Sequence, residues 1–270
     1  MADYGVDYAR EGHIGTVVLN RPERLNTFDT RMFASLEKVT RELQRNLPRV
    51  LIVAGNGGNF CAGFDVNPDN PYVERLAKAL ESGDNTPVAE SIHEFRRIID
   101  AFVNLPVPIL AAMDGKTYGG GAELATRCDI RLMDPEAEIC FSEVRLGLMP
   151  DWGGGATLAA LLGRARAADL ILTARKVSAQ EAERLGLVNR ISPPGRVREA
   201  AQDTARMIAD NGPRSVRFAL EIIRKSTSLT LEENLSLEAE RAIELISSGE
   251  CLYGIGAFLT RKKAEFPEPD

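Results

Sequence analysis

Apolar residues along this chain follow two patterns, short continuous runs and longer stretches in which they recur at helical spacing. The β-branched runs Ile14–Asn20 and 50–54 predict two buried strands, because each is short and is followed by turn residues. Between them, Asp29 is placed to cap a helix over 30–47. The residues of that helix expected to face the core are Phe33, Leu36, Val39 and Leu43.

The alternation continues through the middle of the chain. It predicts helices over 88–105 and from about residue 122, and strands over 107–113, 129–133, 138–142 and 188–191. The first of these helices is expected to turn inward the side chains of Ile92, Phe95, Ile99 and Phe102. Alternating strands and helices are typical of a parallel sheet with crossover helices. The last third of the chain is predicted to be helical almost to its end. This helical region would form either a lid or an oligomerisation element.

The segment 67–87 departs from both patterns. It is polar, and it carries Pro68, Pro71 and Pro87. We therefore expect a mobile insertion with about one helical turn over 73–80. Insertions of this length inside a compact domain are usually functional or disordered.

Composition excludes several classes of protein. The 270 residues are 44% hydrophobic and 27% charged, which is typical of a globular protein with one large core. The net charge of −6 and the lack of a long basic run argue against nucleic acid as a partner. We expect no membrane span, no secretory signal, no metal site and no disulfide framework, and hence a cytoplasmic protein with free thiols.

Two glycine-rich junctions between predicted strands and helices carry the first sign of chemistry. One is the segment 59–65, and the other is Gly119, Gly120 and Gly121, followed by a helix. Glycine lets the backbone approach a ligand closely, and a helix start offers free amides to an anion or a polarised carbonyl oxygen. Taken singly, each junction is explained as well by a tight turn without a ligand. Neither matches a phosphate loop or a dinucleotide-binding fingerprint.

Two glutamates stand beside these junctions. Glu123 falls in the first turn predicted after Gly120, where a carboxylate also suits the helix dipole. Glu143 follows the strand-like run 138–142, where it could equally be a solvated strand end. The combination of both glutamates with both junctions is what requires a further explanation.

The motifs together resemble the enoyl-CoA hydratase/isomerase (crotonase) superfamily. They occur in the family's order across about residues 14–264, at 20–26, 60–65, 119–124, 141–150, 182–190 and 256–263. The resemblance implies an α/β fold with a crotonase-like spiral of repeated ββα units, expected over 1–195. It also implies a helical C-terminal region over 196–270 that mediates trimerisation, with hexamers as pairs of trimers.

The resemblance also implies site residues and a reaction. The oxyanion-hole donors correspond to the backbone amides of Phe64 and Gly120, and the two hydratase glutamates to Glu123 and Glu143. Coenzyme A, as part of the acyl-CoA substrate, is expected to be contacted by Arg24, Leu25, Ala62, Asp65, Val66, Phe258 and Arg261. The last two would act across a subunit boundary. The implied activity is hydration of a 2-enoyl-CoA without a prosthetic group, within fatty acid metabolism.

Asp151 departs from the plain hydratase pattern, which often has a small residue at this position. An aspartate there resembles double-bond isomerases of dienoyl-CoA and, less closely, aryl-CoA dehalogenases, which lack the counterpart of Glu143. The alternative is a turn residue that caps the helix beginning near Trp152. We favour capping slightly. Trp152 itself is expected to be a wall of the acyl pocket or a packing residue, and neither His13 nor His93 is expected to be catalytic.

The leading hypothesis is therefore an enoyl-CoA hydratase. The second is an enoyl- or dienoyl-CoA isomerase that uses the same pocket with Asp151. A third, from another class, is an acyl-CoA-binding protein without activity. The retention of both glutamates argues against the third hypothesis, because a binder has no need of paired carboxylates.

Overall fold

The first residues form a β-hairpin in the computed structural model, which describes residues 4–268. Strands β1 (Gly5–Glu11) and β2 (Ile14–Asn20) pair antiparallel, and Gly12 adopts a φ of +58° in the two-residue turn between them. β2 was predicted. β1 was not, because charged residues alternate with its few apolar ones and leave no continuous apolar run.

A six-stranded sheet forms the centre of the fold. It adds β3 (Val50–Gly55), β4 (Ile109–Met113), β6 (Ile130–Met133) and β9 (Arg190–Ile191), in the order β1-β2-β3-β4-β6-β9. From β2 to β9 all neighbouring strands run parallel, which confirms the predicted parallel sheet. β3 and β4 are buried along their whole length, as expected of strands covered on both faces.

A second, three-stranded sheet stands beside the first. It consists of β5 (Lys116–Tyr118), β7 (Glu138–Cys140) and β8 (Val177–Ser178). β4 leads into β5 and then a helix, and β6 leads into β7 and then a helix, so the expected ββα units are present. Neither β5 nor β8 was predicted, because strands of two or three residues show no periodicity in a sequence.

The helices of the described range connect and cover these strands. They are α1 (Thr30–Arg45), α2 (Pro71–Ser82), α3 (Thr86–Val103), α4 (Gly120–Arg127), α5 (Gly154–Leu162), α6 (Arg164–Thr173), α7 (Ala179–Leu185), α8 (Val197–Ala209), α9 (Pro213–Lys225), α10 (Leu231–Ser247) and α11 (Glu250–Thr260). As predicted, Asp29 caps α1 by accepting a hydrogen bond from the amide of Met32. The four core-facing residues predicted for α1 are buried.

Two local predictions were wrong. Segment 67–87 contains the twelve-residue helix α2 instead of about one turn, and the side chain of Asn70 caps it by accepting from the amide of Tyr72. Ile92 of α3 does not face the core. It is 36% exposed, whereas Phe95, Ile99 and Phe102 on the same helix are buried as expected. The reason is that α2 and α3 together form the side of a cleft, into which Ile92 projects.

The two faces of the large sheet are covered by different helices. One face packs against α1 and α3 in the main core, and the other packs against Val197, Ala201 and Ala205 of α8. The helices after α8 differ from it. α10 has no buried residue, and α11 leaves Leu252 and Phe258 largely exposed. The division of the chain at residue 195 stays a prediction.

None of the described helices is alone both long and apolar enough to cross a bilayer. Taken together, α10 and α11 have sufficient length and apolar character, but they are bent by 70° where they meet.

Candidate active site

The two glycine-rich junctions lie side by side. The segment before Gly63 pairs with β5: the amide of Cys61 donates to the carbonyl of Lys116 at 3.2 Å, and the amide of Tyr118 donates to the carbonyl of Cys61 at 2.9 Å. Gly63, at a φ of +90°, approaches so closely that a Cβ atom built there would lie 2.7 Å from the amide nitrogen of Gly120. No side chain larger than hydrogen fits at this contact.

This contact brings the backbone amides of Phe64 and Gly120 close together. The neighbours of Phe64 are engaged with Phe28, because Phe28 donates to the carbonyl of Gly63 and the amide of Asp65 donates to Phe28. Backbone groups alternate in direction along an extended segment, so the amide of Phe64 points away from Phe28. Gly120 is the first residue of α4 and has no intrahelical acceptor. Within residues 4–268, neither amide has a hydrogen-bond acceptor.

Both residues line a cleft of about 880 Å³, part of it open to solvent. Its apolar wall comes from α2 and α3, and includes Tyr72, Leu76, Val88, Ile92 and Phe95. The opposite side is formed by the segment 142–152, with Leu146, Leu148 and Met149 exposed at the edge. Three carboxyl groups, those of Glu123, Glu143 and Asp151, line the same cleft.

Glu123 is held by the backbone of another helix. Its Oε1 accepts from the amide of Asp151 at 3.2 Å, and its Oε2 accepts from the amides of Trp152 at 2.9 Å and Gly154 at 2.8 Å. The side chain is therefore a cap for the start of α5 rather than a charge at the start of its own helix. A Cβ on Gly154 would lie 2.4 Å from Cγ of Glu123, so this approach requires glycine at 154.

The expectation that Asp151 caps the following helix is therefore wrong. α5 begins at Gly154, and no side chain of the preceding residues caps it. The carboxylate that occupies its first amides comes from Glu123, far away in the sequence. The carboxyl group of Asp151 instead lines the cleft, and no other described residue donates a hydrogen bond to it.

Glu143 is buried, which excludes a solvated strand end. β7 stops at Cys140, and Glu143 opens a 3₁₀ turn over Glu143–Leu146. Only 9% of the residue is exposed, and neither carboxyl oxygen has a hydrogen-bond partner in the described part of the chain. An unpaired buried carboxyl group is costly, so its presence calls for a ligand or a reaction.

Burial raises the pKa of all three carboxyl groups. It raises the pKa of Glu123 to about 8, and the charges of Glu143 and Asp151 act in the same direction, although the amides of Gly154 and Asp151 oppose them. Burial also raises the pKa of Glu143 and that of Asp151. Like charges in a partly dry site cannot all ionise readily, so the cleft retains at least one proton near neutrality.

Trp152 serves as both wall and packing residue. Its ring lies over Gly120, where a Cβ would come within 2.7 Å of it, and its centroid is 5.3 Å from that of Phe28 and 5.4 Å from that of Phe33. It is 2% exposed and borders the cleft. Trp152 thus limits the space beside the free amide of Gly120.

Only some of the residues expected to contact coenzyme A lie at the cleft. Ala62 and Val66 line the cleft, and the amide of Ala62 donates to the carbonyl of Leu25 at 2.9 Å. Arg24 lies on the surface, where it pairs with Asp69 at 3.0 Å. Phe258, 81% exposed, and Arg261 lie at the end of α11, and neither is among the residues that line the cleft.

Asp65 has a structural partner that sequence reasoning missed. Its buried side chain pairs with Arg21 at 2.7 Å, and Arg21 also pairs with Asp29 at 3.2 Å. The side chain of Asp65 is thus committed to the fold, and so is its backbone, whose amide donates to the carbonyl of Phe28 and whose carbonyl accepts from the side chain of Asn70. The run 20–26 contained Arg21, but nothing in the sequence indicated which acidic residue it meets.

The remaining polar residues lie elsewhere. His13 pairs with Glu268 at 2.6 Å, and neither histidine lines the cleft. The four cysteines are free, and three of them are buried. Among residues 4–268, no cluster of histidine, cysteine and acidic side chains is placed to hold a metal ion.

Comparisons with known proteins agree on one family. The sequence profile of the enoyl-CoA hydratase/isomerase family matches residues 9–269. A Thermus thermophilus relative that carries the name of an enoyl-CoA hydratase is 34% identical over 257 residues, which cover 95% of this chain and 98% of the relative. The 1,2-epoxyphenylacetyl-CoA isomerase of Escherichia coli is 30% identical over 268 residues, covering 98% and 99%.

The fold comparison gives the same result. The crystal structure of an enoyl-CoA hydratase from Bacillus anthracis superposes with a TM-score of 0.87 at 30% identity, and the match covers 97% of this chain and 98% of that one. The α/β crotonase fold expected from the sequence is confirmed. Hydratases and isomerases are both among the relatives.

Proposed function

This chain belongs to the enoyl-CoA hydratase/isomerase family, and from that premise we propose that it adds water across the Cα–Cβ double bond of a 2-enoyl-CoA. Members of the family act on CoA thioesters without a prosthetic group. The observation that carries the proposal is the meeting, in one cleft, of two free amides and the unpaired carboxyl group of Glu143.

The amides of Phe64 and Gly120 act on the thioester carbonyl. When oxygen adds at Cβ, negative charge develops on the carbonyl oxygen, and two fixed N–H donors stabilise it. Removing one such donor from an enzyme typically costs about 3 kcal/mol of transition-state stabilisation. Because neither amide has an acceptor among residues 4–268, binding the substrate breaks no hydrogen bond within this part of the protein.

The two glutamates divide the proton transfers. Glu143 takes the proton of the attacking water, since neither of its carboxyl oxygens has a hydrogen-bond partner among the described residues. Glu123 holds a proton near neutrality and supplies it to Cα. The proton resides on Oε1, which accepts one amide, because Oε2 already accepts two. Passage of a proton from Glu143 back to Glu123 restores both groups.

Substitution of Glu143 tests this assignment. Glu143→Gln is expected to lower kcat for hydration of crotonyl-CoA by about 100-fold or more, because an amide cannot accept the proton of water. The measurement is the loss of absorbance of the conjugated thioester, with binding of coenzyme A as the control. A decrease in kcat of less than about tenfold would contradict the role given to Glu143.

A second candidate function is double-bond isomerisation of an enoyl- or dienoyl-CoA. The specific observation that favours it is the carboxyl group of Asp151, which lines the cleft and caps no helix. With Glu143 as one proton carrier and Asp151 as the other, a proton can leave one carbon and return at another. Analysis of the products from 2-enoyl and dienoyl thioesters distinguishes hydration from isomerisation.

We also propose a homotrimer or a homohexamer. Support comes from the exposed apolar side chains of α10 and α11, since a contiguous apolar surface of this kind typically forms an interface. In such an assembly Phe258 and Arg261 would reach the coenzyme A of a neighbouring subunit. Light scattering tests the proposal, and a stable monomer at micromolar concentration would contradict it.

Two further proposals rest on the family alone. One is a role in fatty acid metabolism, and the other is a cytoplasmic location.

A further inference from the structure

The loop 147–153, which carries Asp151, is held by a second side chain besides that of Glu123. Arg127 follows Glu123 by one helical turn, so both side chains leave the same face of α4. The Nη1 atom of Arg127 donates to the carbonyl of Trp152 at 2.8 Å. A Cβ on Gly153 would lie 3.1 Å from that same nitrogen, so the guanidinium rests directly against the loop.

Arg127 is itself held by the helix that forms the wall of the cleft. Its Nη2 atom pairs with Oδ1 of Asp100 on α3 at 2.6 Å, and the arginine side chain is 14% exposed. α3 also supplies Ile92 and Phe95 to the cleft. A continuous chain of contacts therefore runs from the acyl wall through Asp100 and Arg127 to the backbone of the loop.

Glu123 and Arg127 hold complementary backbone groups of this loop. Glu123 accepts from three of its amides, and Arg127 donates to one of its carbonyls. The carboxyl group of Asp151 receives no hydrogen bond from another described residue. Its position is thus determined by the loop backbone rather than by side-chain partners. With only Glu123 in place, the loop could pivot about that carboxylate.

We propose that Arg127 is a positioning residue, which fixes the Trp152 carbonyl and thereby the carboxyl group of Asp151 at the reacting double bond. The proposal rests on the second candidate function, isomerisation, in which Asp151 carries a proton. Arg127 does not line the cleft, so it acts through the loop and not on the substrate. A displacement of about 1 Å at a reacting group can reduce a rate by about 100-fold.

The molecule offers a matched control for this arginine. Arg224 pairs with Asp129 at 2.7 Å and donates to the carbonyl of Leu105 at 2.8 Å, away from the cleft. Both arginines therefore join an aspartate to backbone carbonyls. Arg127→Lys and Arg224→Lys remove the same kind of interaction, and only the first should change catalysis.

The test measures kcat, KM and thermal stability for both substitutions, in hydration and in dienoyl-CoA isomerisation. Arg127→Lys is expected to lower kcat of isomerisation by about 10- to 100-fold with KM within about threefold. Arg224→Lys is expected to lower thermal stability while leaving kcat unchanged. Equal effects of the two substitutions on kcat would overturn the proposal. If Arg127→Lys does not fold, Asp100→Asn takes its place. This substitution removes the ion pairs of Asp100 with Arg127 and Arg96 but keeps the hydrogen bond from Arg127 to Trp152, so a smaller decrease in kcat is expected.

A double-mutant cycle then tests whether Arg127 acts through Asp151. In the Asp151→Asn background, Arg127→Lys should change kcat by less than about twofold, because the group it positions is already gone. Additive losses would overturn the proposal, as would an Asp151→Asn enzyme with unchanged rates of both reactions. If either of these two results is obtained and Glu143→Gln has lost its activity, the proposed function stands and only the role of Arg127 fails. If Glu143→Gln is also fully active, the proposed function itself fails.

Discussion

Two buried glutamates in different regions of this molecule perform the same structural task. Glu123 caps α5 from α4, and Glu250 at the start of α11 caps α9 by accepting from the amides of Arg214 and Ser215, both at 2.9 Å. Each stands against a glycine. A Cβ on Gly212 would lie 2.4 Å from Oε1 of Glu250, as a Cβ on Gly154 would from Cγ of Glu123.

The surroundings of the two caps differ. Glu123 shares a cleft with two further carboxyl groups and two free amides, whereas Glu250 lies near the charges of Arg214 and Arg217 in the helical tail. The cap geometry alone therefore does not identify a site. What distinguishes Glu123 is that the neighbouring carboxyl groups of Glu143 and Asp151 repel its charge.

The largest difference is expected between Glu123→Gln and Glu250→Gln. The first should lower kcat by about 100-fold, because it removes a proton carrier, while the second should leave kcat within about twofold. Both should lose about 0.5–2 kcal/mol of unfolding free energy through the weakened cap. Steady-state kinetics and urea unfolding measure the two effects. Comparable losses of kcat would show that Glu123 is only a cap.

A second comparison concerns the adjacent glycines. Gly154→Ala drives a Cβ against Cγ, Cβ and the backbone Cα of Glu123. The last two atoms cannot rotate away, so we expect a loss of about 1–3 kcal/mol of unfolding free energy. Gly212→Ala meets the far end of the Glu250 side chain, which can move, and should lose less than about 1 kcal/mol. Urea unfolding of the two variants gives the comparison. A larger loss for Gly212→Ala would contradict it.

The third comparison concerns the pH dependence of stability. Because the pKa of Glu123 is about 8 in the fold and 4.5 ordinarily, the folded state binds more protons between these values. The contribution of this group to stability is full below about pH 4.5 and is lost as the pH rises to about 8. Melting temperatures measured across this window should fall less steeply in Glu123→Gln than in the wild type.

Glu250→Gln is the control for this measurement and should keep the wild-type slope. An unchanged slope in Glu123→Gln would show that the carboxyl group at 123 is not the one that takes up the proton.

The sequence was informative wherever structure is determined locally. Asp29 and the helical spacing that follows it predicted α1, and apolar runs predicted the parallel strands. Segment 67–87 was underestimated because its prolines and polar residues suggest a loop, whereas Asn70 and Pro71 begin a helix in which Tyr72, Leu76 and Ala79 recur at helical spacing. In the second sheet β7 was predicted, but β5 and β8 exist only through their pairing with distant segments, which no local pattern records.

The candidate site shows the same limit. The motifs brought Phe64, Gly120, Glu123 and Glu143 into consideration, and the fold gathers all of them in one cleft. The expectation for Asp151 failed because capping rules assume that a helix is capped by the residue before it. Here the cap comes from another helix, and likewise Arg21 meets Asp65 across two separate loops. Such partners are determined by tertiary packing.

The pairing between the Cys61 segment and β5 has a consequence for the order of folding events. Asn59 and Lys116, which are 57 positions apart, are joined at this seam by a hydrogen bond of 3.0 Å. Closing so long a loop is slow compared with forming a helix. The amides of Phe64 and Gly120 are not brought together until that closure is complete. During refolding, affinity for a CoA thioester should therefore appear late, after the helical circular-dichroism signal, and would report the moment at which the chain becomes an enzyme.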